Sequence, residues 1–198
     1  MYRLNILFCC ILLNSCREKA NSELQAPDLY GGKSVKIFTA IEKDSAFYVT
    51  YKFDKQTYIN GAIVYKYSSD SVRSFSVVAD TLTGRFDLIE STGDTSALNI
   101  EGERFFKVNG VDYKVFKLVS GKGITDGEVS YFFNTGLGIL LVKSNTWRIG
   151  QVLNPEKNDT GYLQQMTLLY QILTEQDFYH NQVPPESNIK KFTTPKVE

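Results

Sequence analysis

Three observations predict a mainly β fold, an antiparallel meander of about ten strands forming a barrel or a curved sheet, closed by one C-terminal helix. Aromatic residues make up 13% of the 198 positions, with 12 Tyr and 13 Phe. Such side chains fit a pleated, half-buried surface. Short β-rich segments alternate with turn clusters from Ser34 onward, the spacing of an all-β meander. No long helical pattern separates those segments, which argues against a parallel α/β sheet.

The first strand is expected over 35–40 and stops at the polar stretch Glu42-Lys43-Asp44. The second, over 46–53, alternates with period two. Phe47, Val49, Tyr51 and Phe53 share one face, and Tyr48, Thr50 and Lys52 share the other, as in a half-buried strand. Further strands are expected over 58–67, 73–79, 85–90 and 97–101. The clearest hairpin covers 103–119, where Asn109-Gly110 separates two apolar-alternating arms. An Asn-Gly pair tolerates the positive φ angles of a type I′ turn. Asn60-Gly61 offers the same dipeptide and fits either a turn or a bulge within a longer strand. Another strand is expected over 128–133. The run 137–142 is almost continuously apolar, so it reads as a strand covered on both faces. Trp147 and Ile149 belong to the last strand.

One helix is expected around 162–173. Tyr162, Met166, Leu169 and Leu173 recur at helical spacing, and Leu163 and Tyr170 widen the stripe. Asp159 or Thr160 is placed to cap its start. Residues 181–198 carry Pro184, Pro185 and Pro195 among polar neighbours, which predicts an extended or disordered tail. A meander ending in one packed helix is similar in outline to lipocalin-like barrels. A curved sheet with a helix across its concave face is similar to lipoprotein-carrier folds of bacterial envelopes. No motif in the body decides between them.

The charge balance narrows the function classes. The chain holds 22 Lys+Arg against 22 Asp+Glu, a net charge of zero. A nucleic-acid partner calls for a basic excess or stripe, so none is expected.

The N-terminus reads as an address. Arg3 precedes an apolar run from Ile6 to Leu13, and Cys16 is followed at once by Arg17, Glu18 and Lys19. The run is far short of the ~20 residues that a spanning helix needs. It has the charged start, short apolar core and small residue of a secretory signal. Leu13-Asn14-Ser15-Cys16 resembles the lipobox of bacterial lipoproteins, in a form like that of the Bacteroidetes. The resemblance implies that residues 1–15 are a signal peptide and that Cys16 carries a diacylglyceryl thioether, with palmitate-type acyl chains. Residues 16–33 then form a lipidated tether, and 34–180 a single β-rich domain. It implies an envelope protein anchored in a membrane, and Arg17, not being Asp, favours the outer membrane. All three Cys lie at or before residue 16. The body therefore has no disulfide and no thiolate metal site.

Catalytic sets are sparse. The single His is His180, beyond the helix, so Ser-His-Asp and Cys-His chemistry has no evident base. Gly121-Lys122-Gly123 lacks the spacing of a phosphate-binding loop. Neither a metal nor a cofactor is expected. Glu101 and Glu103 would share a strand face only if the strand ran unbroken across Gly102, and a carboxylate-based hydrolase of envelope glycans is the weaker alternative. The aromatic excess is the remaining lead. Tyr48, Tyr65 and Tyr67 are candidate ligand-binding residues, because Tyr pairs an apolar ring with a polar tip. The expectation is a non-catalytic binding module for an apolar small molecule or an envelope protein partner. The other alternative is a structural or assembly subunit of an outer-membrane complex.

Overall fold

The computed structural model describes residues 33–42, 45–58, 61–124, 127–146, 149–157 and 161–180. Its strands are β1 (Lys33–Glu42), β2 (Ser45–Thr57), β3 (Ala62–Ser68), β4 (Phe75–Asp80), β5 (Arg85–Glu90), β6 (Thr95–Val108), β7 (Val111–Ser120), β8 (Val129–Asn134), β9 (Gly138–Ser144) and β10 (Ile149–Leu153). Two helices follow, α1 (Tyr162–Thr174) and α2 (Gln176–Tyr179). Each strand pairs antiparallel with its sequence neighbours, and β1 also pairs with β10, which closes the barrel. Closure of this ring decides between the barrel and the open curved sheet.

Local chemistry sets the connections. Asn109 (φ 51°) and Gly110 (φ 82°) both adopt positive φ, so this pair makes the tight β6–β7 turn that its sequence favours. Gly61 (φ 81°) donates its N–H to Tyr58 O at 3.0 Å. It therefore belongs to the β2–β3 turn, and the strand expected over 58–67 begins only at Ala62. The segments expected over 97–101 and at the start of the hairpin fuse into one strand, β6, whose register shifts between Ile100 and Gly102. That shift is a bulge at Glu101.

The two faces of the wall are separated by consecutive residues on β8. Phe133 points into the lumen, where its ring meets Tyr65 of β3 at 4.8 Å and Phe86 of β5 at 5.6 Å. These strands are not neighbours, so both contacts cross the barrel. Phe132 points outward and packs on Phe178 (5.4 Å) and Tyr179 (5.9 Å) of α2. Phe178 also meets Phe106 of β6 at 5.8 Å. The short helix thus covers the outside of the wall, and β9 is covered on both faces as expected: a register shift puts Leu141 opposite the outward Phe132 and Ile139 opposite the inward Phe133, and both are buried.

Helix α1 lies against β6, where Gln171 Nε2 donates to Lys107 O at 3.3 Å. The helix is where expected, but its stripe is not. Gln165, Leu168, Leu169 and Ile172 are buried, while Leu163, Met166, Tyr170 and Leu173 are exposed. Only Leu169 of that expected stripe faces the barrel among the buried set. The physical reason is that this helix has apolar residues nearly all round, so period alone fits two stripes. The start is set by Gly161, in left-handed conformation (φ 85°), with no side-chain cap. Asp159, Thr160 and Trp147 lie outside the described residues, as do the expected signal peptide, tether and C-terminal tail.

Candidate functional site

The first candidate is the lumen at the end of the barrel where β1 begins and β8 turns into β9. Alternation along β1 points Lys36, Phe38 and Ala40 inward, and along β3 it points Tyr65 and Tyr67 inward. All five are buried. Their polar atoms converge on the backbone of the β8–β9 turn. Tyr65 Oη donates to Thr135 O at 2.7 Å, and Ile139 N–H donates to Tyr67 Oη at 2.8 Å. Lys36 Nζ donates to Leu137 O and sits 4.2 Å from the centroid of the Phe53 ring. From the turn itself, Asn134 Oδ1 accepts the N–H groups of Gly136 and Leu137, each at 2.9 Å, and its Nδ2 donates to Lys114 O at 2.8 Å. Gly138 (φ 77°) packs so closely that a Cβ there would run into Tyr67 Oη. The turn is therefore held from within, and the lumen around it is filled by side chains.

Burial sets the electrostatics of this plug. Loss of hydration, reinforced by the Lys55 charge, pushes the Lys36 ammonium down to about 7. An amine in that position carries its proton only partly near neutrality. Burial also raises the Tyr67 phenol well above its ordinary value, against the smaller opposing effect of the Ile139 N–H. That phenol stays neutral and can serve as an acceptor for the turn.

The three candidate tyrosines are thus divided. Tyr65 and Tyr67 are brought together inside, with no exposed surface, whereas Tyr48 lies on the outer wall opposite Thr39 and is 72% exposed. The residue that sequence reading missed is Lys36. Its signal was the same period of two that placed Phe38 and Ala40 inward.

A second candidate is a cleft of about 170 Å³ at the barrel seam. The β1–β10 register runs only as far as Phe38 and Leu153, with one further bond from Asn154 N–H to Ile37 O at 2.8 Å. Beyond it the chain leaves toward α1, and Ser34, Lys36, Pro155 and Gln165 border the opening. Ser34 Oγ is buried there with no hydrogen-bond partner among the described residues. The volume is below the ~300–1,000 Å³ of ordinary ligand pockets.

The acid–base alternatives are dispersed. The bulge at Glu101 puts it beside Lys117 (3.6 Å) and Lys122 (3.5 Å), while Glu103 pairs with Lys114 at 3.1 Å. Lys114 and Lys117 are three residues apart on β7, hence on opposite faces. The two carboxylates therefore do not converge on one site. His180 is exposed, with its ring 4.7 Å from that of Tyr179. Among the described residues no group of three or more His, Cys, Asp and Glu is placed to hold a metal ion.

No protein family, curated protein or solved structure matches the chain. The functional reading therefore rests on the residues and their geometry.

Proposed function

We propose that this chain is a lipid-anchored protein of a bacterial envelope whose barrel is a non-catalytic binding module, engaging an envelope protein partner through its outer surface. One observation carries the external mode of binding. The lumen is crossed by Tyr65–Phe133 and Phe86–Phe133 contacts, and its Tyr and Lys polar atoms are engaged with the β8–β9 turn. An apolar ligand would have to displace that turn and leave several buried backbone groups unpaired, which is costly. The anchoring half of the proposal is supported by Leu13-Asn14-Ser15-Cys16 and the abrupt change to charged residues after it. Among the described residues no helix is long and apolar enough to cross a membrane.

Intact mass measurement on protein extracted from membranes tests both halves. The expected mass is that of a chain starting at Cys16 plus a diacylglyceryl group and an acyl chain. A chain still beginning at Met1 would remove the anchor. Under native conditions the same sample should show no further small-molecule adduct. A discrete adduct lost on denaturation would return the ligand to the lumen and overturn the external mode.

A further inference from the structure

The outer face of α1 is the feature that the binding reading leaves unused. Leu163, Met166, Tyr170 and Leu173 are exposed there, spaced by three, four and three residues, so they form one stripe along the helix. The stripe lies opposite the buried Leu168, Leu169 and Ile172. No residue of α1 carries a charge, in the first turn, the last turn or between. A surface helix of a freely diffusing domain ordinarily shows a charged outer face.

The position of the stripe suggests what covers it. The described chain begins at Lys33, and the next residues, Ser34 and Val35, share the seam cleft with Gln165. Gln165 lies between Leu163 and Met166 in sequence, so the N-terminal segment joins the barrel beside the first turns of α1. Residues 17–32 separate that point from Cys16. Even fully extended, such a segment reaches at most ~55 Å. An anchor at Cys16 therefore tethers the barrel to the bilayer from its α1 end, within that reach. Val35, 58% exposed on the outer side of β1, adds to the apolar surface at that point.

We infer that the stripe Leu163–Met166–Tyr170–Leu173 rests on the surface of the anchoring membrane, with α1 lying in the interfacial layer. The inference rests on the lipid anchor proposed above. Apolar area pushed into the headgroup boundary strengthens attachment that acyl chains provide, and a Tyr at that depth keeps its hydroxyl hydrated. A second copy of the chain is the weaker occupant. A helix of 13 residues is only ~20 Å long. Its contact falls short of the ~800 Å² per partner typical of a stable protein interface.

The test uses the full lipidated chain in phosphatidylethanolamine–phosphatidylglycerol vesicles that contain brominated lipid. Native Cys occur only at 9, 10 and 16, and a lipidated Cys16 cannot react with a thiol dye. Met166→Cys and, at the opposite end of the barrel, Ser91→Cys each accept a single environment-sensitive dye. Quenching at 166 is expected to exceed that at 91 several-fold. The double change Leu163→Ser and Tyr170→Ser should lower the quenching at 166 in protein whose melting is unchanged. Equal quenching at the two sites, or none, on vesicle-bound lipidated protein would overturn this inference and leave the anchor intact. A dye at 166 that is shielded without lipid quenching, increasingly so at higher protein density, would assign the stripe to a second copy instead. A mass without lipid on Cys16 would overturn the anchor and this inference together.

Discussion

The lumen beside the β8–β9 turn and the outer face of α1 both collect large apolar side chains, yet their surroundings differ in kind. Inside, Phe53 packs on Tyr65 and Tyr67 of the neighbouring strand, Tyr65 meets Phe133 across the barrel, and each tyrosine hydroxyl meets a backbone group. Outside, Leu163, Met166, Tyr170 and Leu173 face away from the barrel. The difference separates residues packed within the fold from residues exposed on its surface. Tyr65 and Tyr67 are buried in the lumen, whereas Leu163, Met166, Tyr170 and Leu173 give α1 an exposed apolar stripe.

The strongest way to break this contrast is to open the lumen. Phe133→Ala removes a ring that touches both Tyr65 and Phe86. It should cost ~3–5 kcal/mol, the usual range for a buried Phe that leaves a cavity. Denaturant unfolding of the variant and the parent measures this through the midpoint. A loss below ~1 kcal/mol would mean that the lumen is loosely packed and open to a ligand.

Lys36 gives the contrast a pH signature. In the folded chain burial holds its amine at about 7, whereas the unfolded chain binds that proton up to about 10.4. Between those values unfolding takes up a proton, so stability rises with pH across the window and is lost as pH falls toward 7. Below the folded value both states are protonated and this contribution stops changing. The full span is on the order of a few kcal/mol. Lys36→Met should flatten the curve of stability against pH in that window. Thermal melts at intervals from pH 7 to 10 check it, and identical slopes in the two proteins would show that the amine is hydrated when folded.

Much of this organisation was legible before the fold was known. The Asn109-Gly110 turn, the inward set of β2 and the β-meander follow from local chemistry, because a two-residue period and a type I′ turn leave few alternatives. The candidate site was harder. Tyr65 and Tyr67 were recognisable as a pair on one face, but closure of the barrel decided that this face is the lumen and Tyr48 the exterior. Lys36 was hidden by its charge, since alternation placed it inward and composition argued against that. The buried stripe of α1 is not legible in the sequence, because Leu, Met, Tyr and Ile occur around the whole helix. Which face turns inward depends on β6 and the strand ends that it meets, a tertiary choice with no local signal.

Tyr67→Phe sharpens the interior side of the comparison at a smaller scale. It keeps the ring stacked on Phe75, at 4.7 Å and 13°, and removes only the acceptor for Ile139 N–H. A buried donor left unpaired costs ~1–3 kcal/mol. Amide hydrogen exchange at Ile139 should accelerate together with the drop in melting midpoint. An unchanged exchange rate would mean that the β8–β9 turn is held without this contact.

On the outer face the same kind of deletion should cost almost nothing. Leu163→Ser and Tyr170→Ser remove side chains that are each 69% exposed. Surface changes away from buried contacts ordinarily stay within ~0.5 kcal/mol, and the lower helix propensity of Ser uses part of that range. Thermal melting of the protein should therefore hardly move. A loss comparable to that of Tyr67→Phe would show that these two residues already pack against the chain itself, and the division between a packed interior and an exposed stripe would fail at α1. A negligible loss in stability combined with weaker lipid contact would leave function as the reason why a surface helix carries four large apolar residues and no charge.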